Sequence, residues 1–168
     1  WATENSGKTL LSTEQAAQVK AVLPFAREAV EILRGDDAVD WQVTLRGEID
    51  GIQVQTRPDL WIETEKCIRI PDLKYVSQID KFDRQLLGSR YEIQAALAAE
   101  LARLAGVEKR VEIYFLLVES GTITPRCWIR LVPSNVAECF VERLHSRLQQ
   151  IASTRDGEFG FVDKVEVR

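Results

Sequence analysis

The residues best suited to chemistry lie in two short stretches, RPDLW (57–61) and IPDLKYV (70–76). The first places Asp59 on a predicted strand, and the second places Asp72 and Lys74 on the next one. Alternation along a strand sends residues two apart to the same face, so Asp72 and Lys74 point together. If the two strands pair, Asp59 comes close to Asp72, and two carboxylates and one ammonium group converge on one edge.

This set suits metal-assisted hydrolysis of a phosphodiester. Hard divalent cations such as Mg²⁺ prefer oxygen ligands and are typically held by one or two carboxylates, substrate phosphate and water. The cation lowers the pKa of a bound water and offsets charge in the transition state. A nearby lysine can position that water and stabilise the developing negative charge.

A structural interpretation competes with the catalytic one. An Asp-x-Lys pair on a strand is also common as a solvated face or as a cross-strand ion pair, and a short motif alone carries false positives. The presence of Asp59 on the neighbouring predicted strand strengthens the catalytic interpretation without settling it.

The first element that must support this site is a helix. Ser12 and Gln15 have the spacing of a capping box, and apolar residues recur every three or four positions up to Leu33. Pro24 within this pattern predicts a kink or a break, and Gly35 stands where a helix ends.

Three strands are predicted next. Apolar and polar residues alternate around a turn near Asp50-Gly51, which indicates a β-hairpin with strands near 41–47 and 52–63. A third strand covers 67–76. Because Pro71 cannot donate to a ladder, this strand is predicted to be an edge strand or to be interrupted there.

The second half of the chain predicts two helices and three strands. A helix over about 89–105 ends at Gly106, and VEIYFLLVE (111–119) reads as a strand buried on both faces. The stretch RCWIRLV (126–132) follows as its partner, Ser134 caps a helix to about 152, and GFVDKVEV (160–167) closes the chain as a strand. No linker divides the sequence, which predicts one domain.

These stretches together resemble the PD-(D/E)xK nuclease superfamily, and within it the phage-type exodeoxyribonuclease VIII (RecE-like) family. The resemblance covers most of the chain, because LLSTEQ, RPDLW, PDLK, RYEIQAALAAEL and YFLLVES…CWIRLVP occur in that family's order. It implies a restriction-endonuclease-like α/β core, a mixed sheet flanked by helices, formed by residues 1–168 without the N-terminal part of the family domain.

The resemblance also implies an activity. Asp59 and Asp72 would be metal ligands for Mg²⁺ or Mn²⁺, Lys74 the catalytic lysine, and Gln94 a glutamine that organises the site or contacts DNA. The family's members are processive exonucleases on linear duplex DNA that feed strand-annealing recombination. The implied partners are therefore DNA, a single-strand annealing protein and further copies of the chain.

Three departures from the family support a rival hypothesis. Gln42 stands where the family often has an acidic residue, and Ala98 stands where a tyrosine often follows the glutamine. The chain begins at Trp1, after the place of a family segment that bears a histidine or glutamate near the site. His145, in the last helix, is interpreted as a structural or surface residue. The rival is a nuclease-fold protein that binds DNA or a protein partner without cutting.

Charge bears on the nucleic-acid hypothesis. The net charge of -4 argues against a uniformly basic DNA-binding protein, but residues 66–90 contain six basic and only three acidic residues. A local patch is enough for phosphate contacts, although the same charges could simply solvate a loop. The predicted DNA contacts are the basic and aromatic side chains of Arg57, Lys81, Arg84, Arg90 and Tyr91.

Composition excludes several other classes. No apolar run approaches the roughly 20 residues that span a bilayer. The three cysteines lie far apart without a CxxC pair, which excludes a zinc knuckle and a thioredoxin-type motif, and the single histidine excludes a multi-histidine metal site. A reducing cytoplasm is the simplest compartment for such a chain.

Overall fold

The structure, a computed structural model, describes residues 12–88, 90–119 and 126–155. Its helices are α1 (Thr13–Arg34), α2 (Phe82–Gly88), α3 (Tyr91–Leu104) and α4 (Ser134–Arg155). Its strands are β1 (Val39–Trp41), β2 (Leu45–Ile49), β3 (Ile52–Thr56), β4 (Leu60–Glu63), β5 (Cys67–Val76), β6 (Arg110–Glu119) and β7 (Cys127–Leu131). A 3-10 turn, Ile79–Lys81, precedes α2.

Five of these strands form a mixed sheet in the order β1-β4-β5-β6-β7, while β2 and β3 form a separate two-stranded sheet. β5 and β6 run parallel, from Cys67 opposite Arg110 to Val76 opposite Glu119, and the other neighbours are antiparallel. A parallel pair needs a crossover connection, which the 3-10 turn, α2 and α3 supply. The α/β class with a mixed sheet flanked by helices is confirmed.

Helices cover both faces of the sheet. On one face α3, α4 and the β2–β3 hairpin form a core with alternate residues of β6, among them Phe115 and Leu117. On the other face, α1 packs Ala29 and Leu33 against a cluster that includes Leu116. β6 is buried on both faces over its second half, as its run of apolar residues predicted.

The first helix forms as predicted and is not broken at its proline. The Ser12 hydroxyl accepts from the Gln15 backbone at 3.1 Å, the Gln15 side chain accepts from the Ser12 backbone at 2.8 Å, and Gly35 follows the last turn with φ +57°. The helix continues through Pro24. The carbonyl of Lys20 loses its usual donor there, and because Lys20 and Pro24 are both exposed residues, water can reach this side of the helix.

The predicted hairpin turn is confirmed. Asp50 and Gly51 have φ values of +51° and +76°, and Ile49 pairs with Ile52 across the turn. Positive φ at both central residues is typical of the type I′ turn, whose twist suits a two-residue hairpin.

The predicted extent of the hairpin strands is wrong, because each strand is divided in two. The break after β1 contains Gln42 with φ +54°, and the break before β4 contains Pro58, which has no N–H to donate. The inner halves, β2 and β3, leave the main sheet and pack on α3, whereas β1 pairs with β4. Asp59 therefore lies in the bend that precedes β4, not on a strand.

The prediction of an edge or interrupted strand at Pro71 is also wrong, since β5 is continuous and central. Backbone nitrogens two residues apart face the same side, so Pro71 faces the same neighbour as the Leu73 N–H, which donates to Asp59. The ladder between β4 and β5 has ended by then, with Ile62 opposite Arg69. The missing N–H of Pro71 therefore removes no ladder bond.

The remaining elements agree with the sequence more closely. α3 ends before Gly106, which has φ +84°, and β6 and β7 pair as predicted. Ser134 is the first residue of α4 rather than its cap, because the Pro133 carbonyl accepts from Val136 and Ala137. The sequence did not predict the 3-10 turn and α2, and the predicted closing strand 160–167 lies outside the described residues. No helix in the described ranges meets the length and hydropathy needed to cross a bilayer.

Gly47 of β2 approaches α3 closely. A β-carbon there would lie 2.8 Å from Cδ2 of Leu101, a side chain that is 1% exposed. We expect Gly47→Ala to lower the free energy of unfolding by about 1–3 kcal/mol, as overpacking usually does. Urea denaturation measures this change, and Arg46→Ala, an exposed neighbour on β2, should stay within about 0.5 kcal/mol of the wild type. An unchanged stability of Gly47→Ala would contradict the close approach.

Candidate active site

Asp72 and Lys74 lie in the second half of β5 and face α3. Their side chains are both 11% exposed and form an ion pair through Asp72 Oδ2 and Lys74 Nζ. Leu73 and Tyr75 point to the opposite face, beside α1, and are about half exposed. The structure therefore brings Asp72 and Lys74 together as the strand alternation predicted.

Asp59 reaches the same place from the bend before β4. Its Oδ2 accepts a hydrogen bond from the Leu73 backbone N–H at 2.9 Å, on the side of β5 where the ladder to β4 has ended. The carbonyl of Asp59 accepts from the Gln42 N–H at 3.0 Å, which ties the bend to the end of β1. The carboxylate thus takes the place of a missing strand partner and is held beside Asp72.

The pKa of the Asp72 carboxyl is raised above its ordinary value, chiefly because the group is buried. The positive charge of Lys74 lowers this pKa, whereas the nearby Asp59 carboxylate raises it. The two carboxylates are therefore close enough to repel each other when both are ionised. A cation between them would relieve that repulsion.

Gln94, in the first turn of α3, links the two charged residues of β5. Its Oε1 accepts from Lys74 Nζ at 2.7 Å, and its Nε2 donates to Asp72 Oδ1 at 3.2 Å. One amide group therefore fixes both the carboxylate and the ammonium group. The structure brings all four predicted catalytic residues, Asp59 included, to one end of the sheet.

The donor set fits a hard divalent cation. Asp72 Oδ2 is fully enclosed and, within the described part of the chain, lacks a partner in hydrogen-bond geometry, although Lys74 forms an ion pair with it. Asp59 supplies a second carboxylate, and one or two carboxylates are the usual protein share of a Mg²⁺ site. The described residues contain no group of three His, Cys, Asp or Glu side chains that could hold a metal.

Two of the three departures from the family pattern, Gln42 and Ala98, lie beside the site. Gln42 is exposed and bonds Asp59 only through its backbone N–H. Ala98 lies one turn after Gln94 and lines a cavity of about 10 Å³, together with Thr56, Asp72 and other residues. Neither position adds a charged ligand, and the space beside Ala98 is about that of one water molecule.

The predicted basic DNA contacts come from three segments that border the site. Arg57 precedes Pro58 in the bend of Asp59, Lys81 and Arg84 flank the turn into α2, and Arg90 immediately precedes α3. All four side chains are exposed, and none forms an ion pair with another described residue.

His145 and Tyr91 lie in different parts of the fold. His145 of α4 is away from the site, 2.8 Å from Asp50 Oδ2 at the hairpin turn and 3.9 Å from Glu100 Oε1. This placement agrees with a structural role. Tyr91, predicted to contact DNA, is half-buried at the site, with its ring over the Lys74 ammonium group. The i, i+3 spacing of Tyr91 and Gln94 on a helix was the signal that both face the same strand.

Comparison with known proteins bears on the fold. No protein-family model matches the chain, and no curated protein matches it. The crystal structure of a candidate exonuclease from Eubacterium rectale matches 99% of this chain and 70% of its own, with a TM-score of 0.70 at 16% sequence identity. A second solved structure covers 91% of this chain and 70% of its own, with a TM-score of 0.44 at 14% identity. The chain shares the fold of the Eubacterium rectale protein.

Proposed function

We propose that this chain is a divalent-cation-dependent exonuclease that hydrolyses phosphodiester bonds of linear duplex DNA. The observation that carries the proposal is the convergence of Asp59, Asp72, Lys74 and Gln94 at one end of the sheet. The shared fold with a candidate exonuclease supports the same assignment. The exposed basic residues around these four would bind the DNA.

Each of the four site residues has a distinct proposed role. Asp59 and Asp72 would hold Mg²⁺ or Mn²⁺, with phosphate oxygens and water as the other ligands. When bound, such a cation lowers the pKa of water and offsets negative charge on the phosphate. Lys74 supplies a fixed positive charge for the transition state in a largely desolvated place, where such charges act most strongly. Gln94 holds the side chains of Lys74 and Asp72 in fixed positions relative to each other.

The exposed cations support DNA as the substrate. Contacts to phosphates are independent of sequence, which suits an enzyme that degrades a strand progressively. The resemblance to the RecE-like family extends the proposal to recombination in the cytoplasm, with a homo-oligomer and a single-strand annealing protein as partners.

A second candidate function is binding of DNA or a protein partner without hydrolysis. The neutral Gln42, which leaves Asp59 and Asp72 as the carboxylates of the site, favours this alternative. A cation held by two carboxylates depends more on phosphate and water for its remaining ligands. The alternative therefore predicts DNA binding that is not followed by cleavage.

End-labelled DNA separates the two functions. Linear duplex is incubated with the protein and Mg²⁺, Mn²⁺ or a chelator, beside Asp72→Ala and a closed circular duplex. We expect cation-dependent release of label from the linear duplex, none from Asp72→Ala, and no cutting of the circle. DNA binding without any release of label would support the second function and contradict the first. Cutting of the circle would contradict the exonuclease assignment alone.

The bordering arginines should determine the salt dependence of binding. We expect Arg57→Ala and Arg90→Ala each to reduce the slope of log K against log salt by about 1, with equal loss for unrelated sequences. The measurement is fluorescence anisotropy of a labelled duplex over a salt series without divalent cations. Arg27→Ala, an exposed arginine of α1, is the matched control and should leave the slope unchanged. If the slope of log K against log salt is the same for all three variants, Arg57 and Arg90 do not contact the phosphates.

A further inference from the structure

The ring of Tyr91 faces the ammonium group of Lys74. Lys74 Nζ lies 4.6 Å from the ring centroid, within the roughly 6 Å over which an aromatic face attracts a cation. Tyr91 is the first residue of α3 and precedes Gln94 by three positions, so both side chains reach β5 from the same face of the helix.

Two phenylalanines hold this ring in place. Phe82 of α2 stacks on Tyr91 with a centroid distance of 6.0 Å and an interplanar angle of 18°, and Phe115 of β6 lies at 6.3 Å and 45°. Phe82 and Phe115 also contact each other edge to face at 5.3 Å, and both are almost fully buried. The Tyr91 ring therefore packs in an aromatic cluster with two buried rings and is itself only partly exposed.

The surroundings of the Lys74 ammonium group are thereby defined on three sides. It forms an ion pair with Asp72, donates to Gln94 Oε1 at 2.7 Å, and has the Tyr91 face above it. A lysine side chain has several rotatable bonds, and each fixed neighbour restricts where its charge can stand. We propose that Tyr91 is a positioning residue that holds the Lys74 ammonium at the reacting phosphate. This inference rests on the proposed function and gives Tyr91 a role through Lys74 rather than a direct contact with DNA.

Substitutions of Tyr91 distinguish the two roles. We expect Tyr91→Leu to lower kcat about tenfold with an unchanged KM, because a cation–π contact of ordinary strength is lost. Tyr91→Phe keeps the ring and should retain kcat and KM. A raised KM in Tyr91→Phe would show that the hydroxyl binds DNA and would overturn the proposal. If Tyr91→Leu does not fold, Tyr91→Met, which fills a similar volume without a π face, takes its place.

A double substitution tests whether Tyr91 acts through Lys74. In a Lys74→Ala background, Tyr91→Leu should cause no further loss in the single-turnover rate, because the partner of the ring is already gone. A further tenfold loss in that background would mean that Tyr91 contributes independently, and the proposal would fail.

A spectroscopic readout keeps the inference separate from the activity. The ring should shift the Lys74 methylene protons upfield in the NMR spectrum of the wild type and of Tyr91→Phe, but not of Tyr91→Leu. If the wild type releases no nucleotides, the proposed function fails, and the shift still decides whether Tyr91 holds Lys74. Absence of the shift in the wild type would overturn the inference even in an active enzyme.

Discussion

Replacing Lys74 by alanine is expected to lower the rate of nucleotide release by about 10²–10³-fold, the usual cost of removing one preorganised electrostatic contact to a transition state. The Lys74 side chain is 11% exposed, and Asp72 and Gln94 hold its ammonium group. The charge is therefore already in position before a phosphate binds. The single-turnover rate at saturating Mg²⁺ measures the effect. A rate near that of the wild type would remove Lys74 from the site.

Two companion variants sharpen this prediction. Lys66→Ala, an exposed lysine just before β5, should retain the wild-type rate. Lys74→Arg should not restore activity, because a planar guanidinium cannot replace a compact ammonium group between Asp72 and the Tyr91 ring. Because Lys74 lowers the pKa of Asp72, its removal should raise that pKa further. The thermal midpoint of each variant shows whether the fold is retained.

Asp59→Asn is expected to abolish most of the cation-dependent activity, by about 10²-fold or more, while leaving the fold intact. Asparagine retains an oxygen that can accept from the Leu73 N–H, so the bend before β4 stays in place. It removes one of the two negative charges that would hold the cation. The variant therefore separates the structural bond of this side chain from its electrostatic role.

Thermal unfolding with and without Mg²⁺ measures the same loss without reference to activity. A ligand present at about ten times its Kd stabilises the folded state by about 1.4 kcal/mol, which corresponds to a rise of about 3–6 °C in Tm for a chain of this size. We expect this rise in the wild type and in Asp36→Asn, an exposed control, but not in Asp59→Asn. An equal rise in all three would show that Asp59 does not bind the cation.

Local periodicity accounts for the part of the site that the sequence predicted. Asp72 and Lys74 share a face because they are two residues apart on one strand, a property that needs no knowledge of neighbouring strands. The turn at Asp50-Gly51 was predictable from another local property, because both residue types tolerate positive φ. The stop at Gly106 is likewise local.

What the sequence did not predict depends on where strands part. Asp59 was expected on a strand, yet it approaches Asp72 from a bend, because the hairpin divides and β4 separates from β5. Pro71 is tolerated in a central strand for that same reason. The role of Tyr91 depended on α2, whose Phe82 backs the ring, and the polar stretch that contains α2 has no clear period. Such features follow from contacts between segments distant in sequence.

The parallel pairing of β5 with β6 has a consequence for how the protein acquires its site during folding. Cys67 and Arg110 are opposite each other although a long crossover separates them, so chain entropy must be given up before any of these pairs forms. Gln94 lies within that crossover and contacts β5 directly. The arrangement of the candidate site and the long-range topology of the sheet therefore form together. In a partly folded chain whose helices have already formed, Asp72 and Lys74 would still lack their contacts with Gln94 on α3.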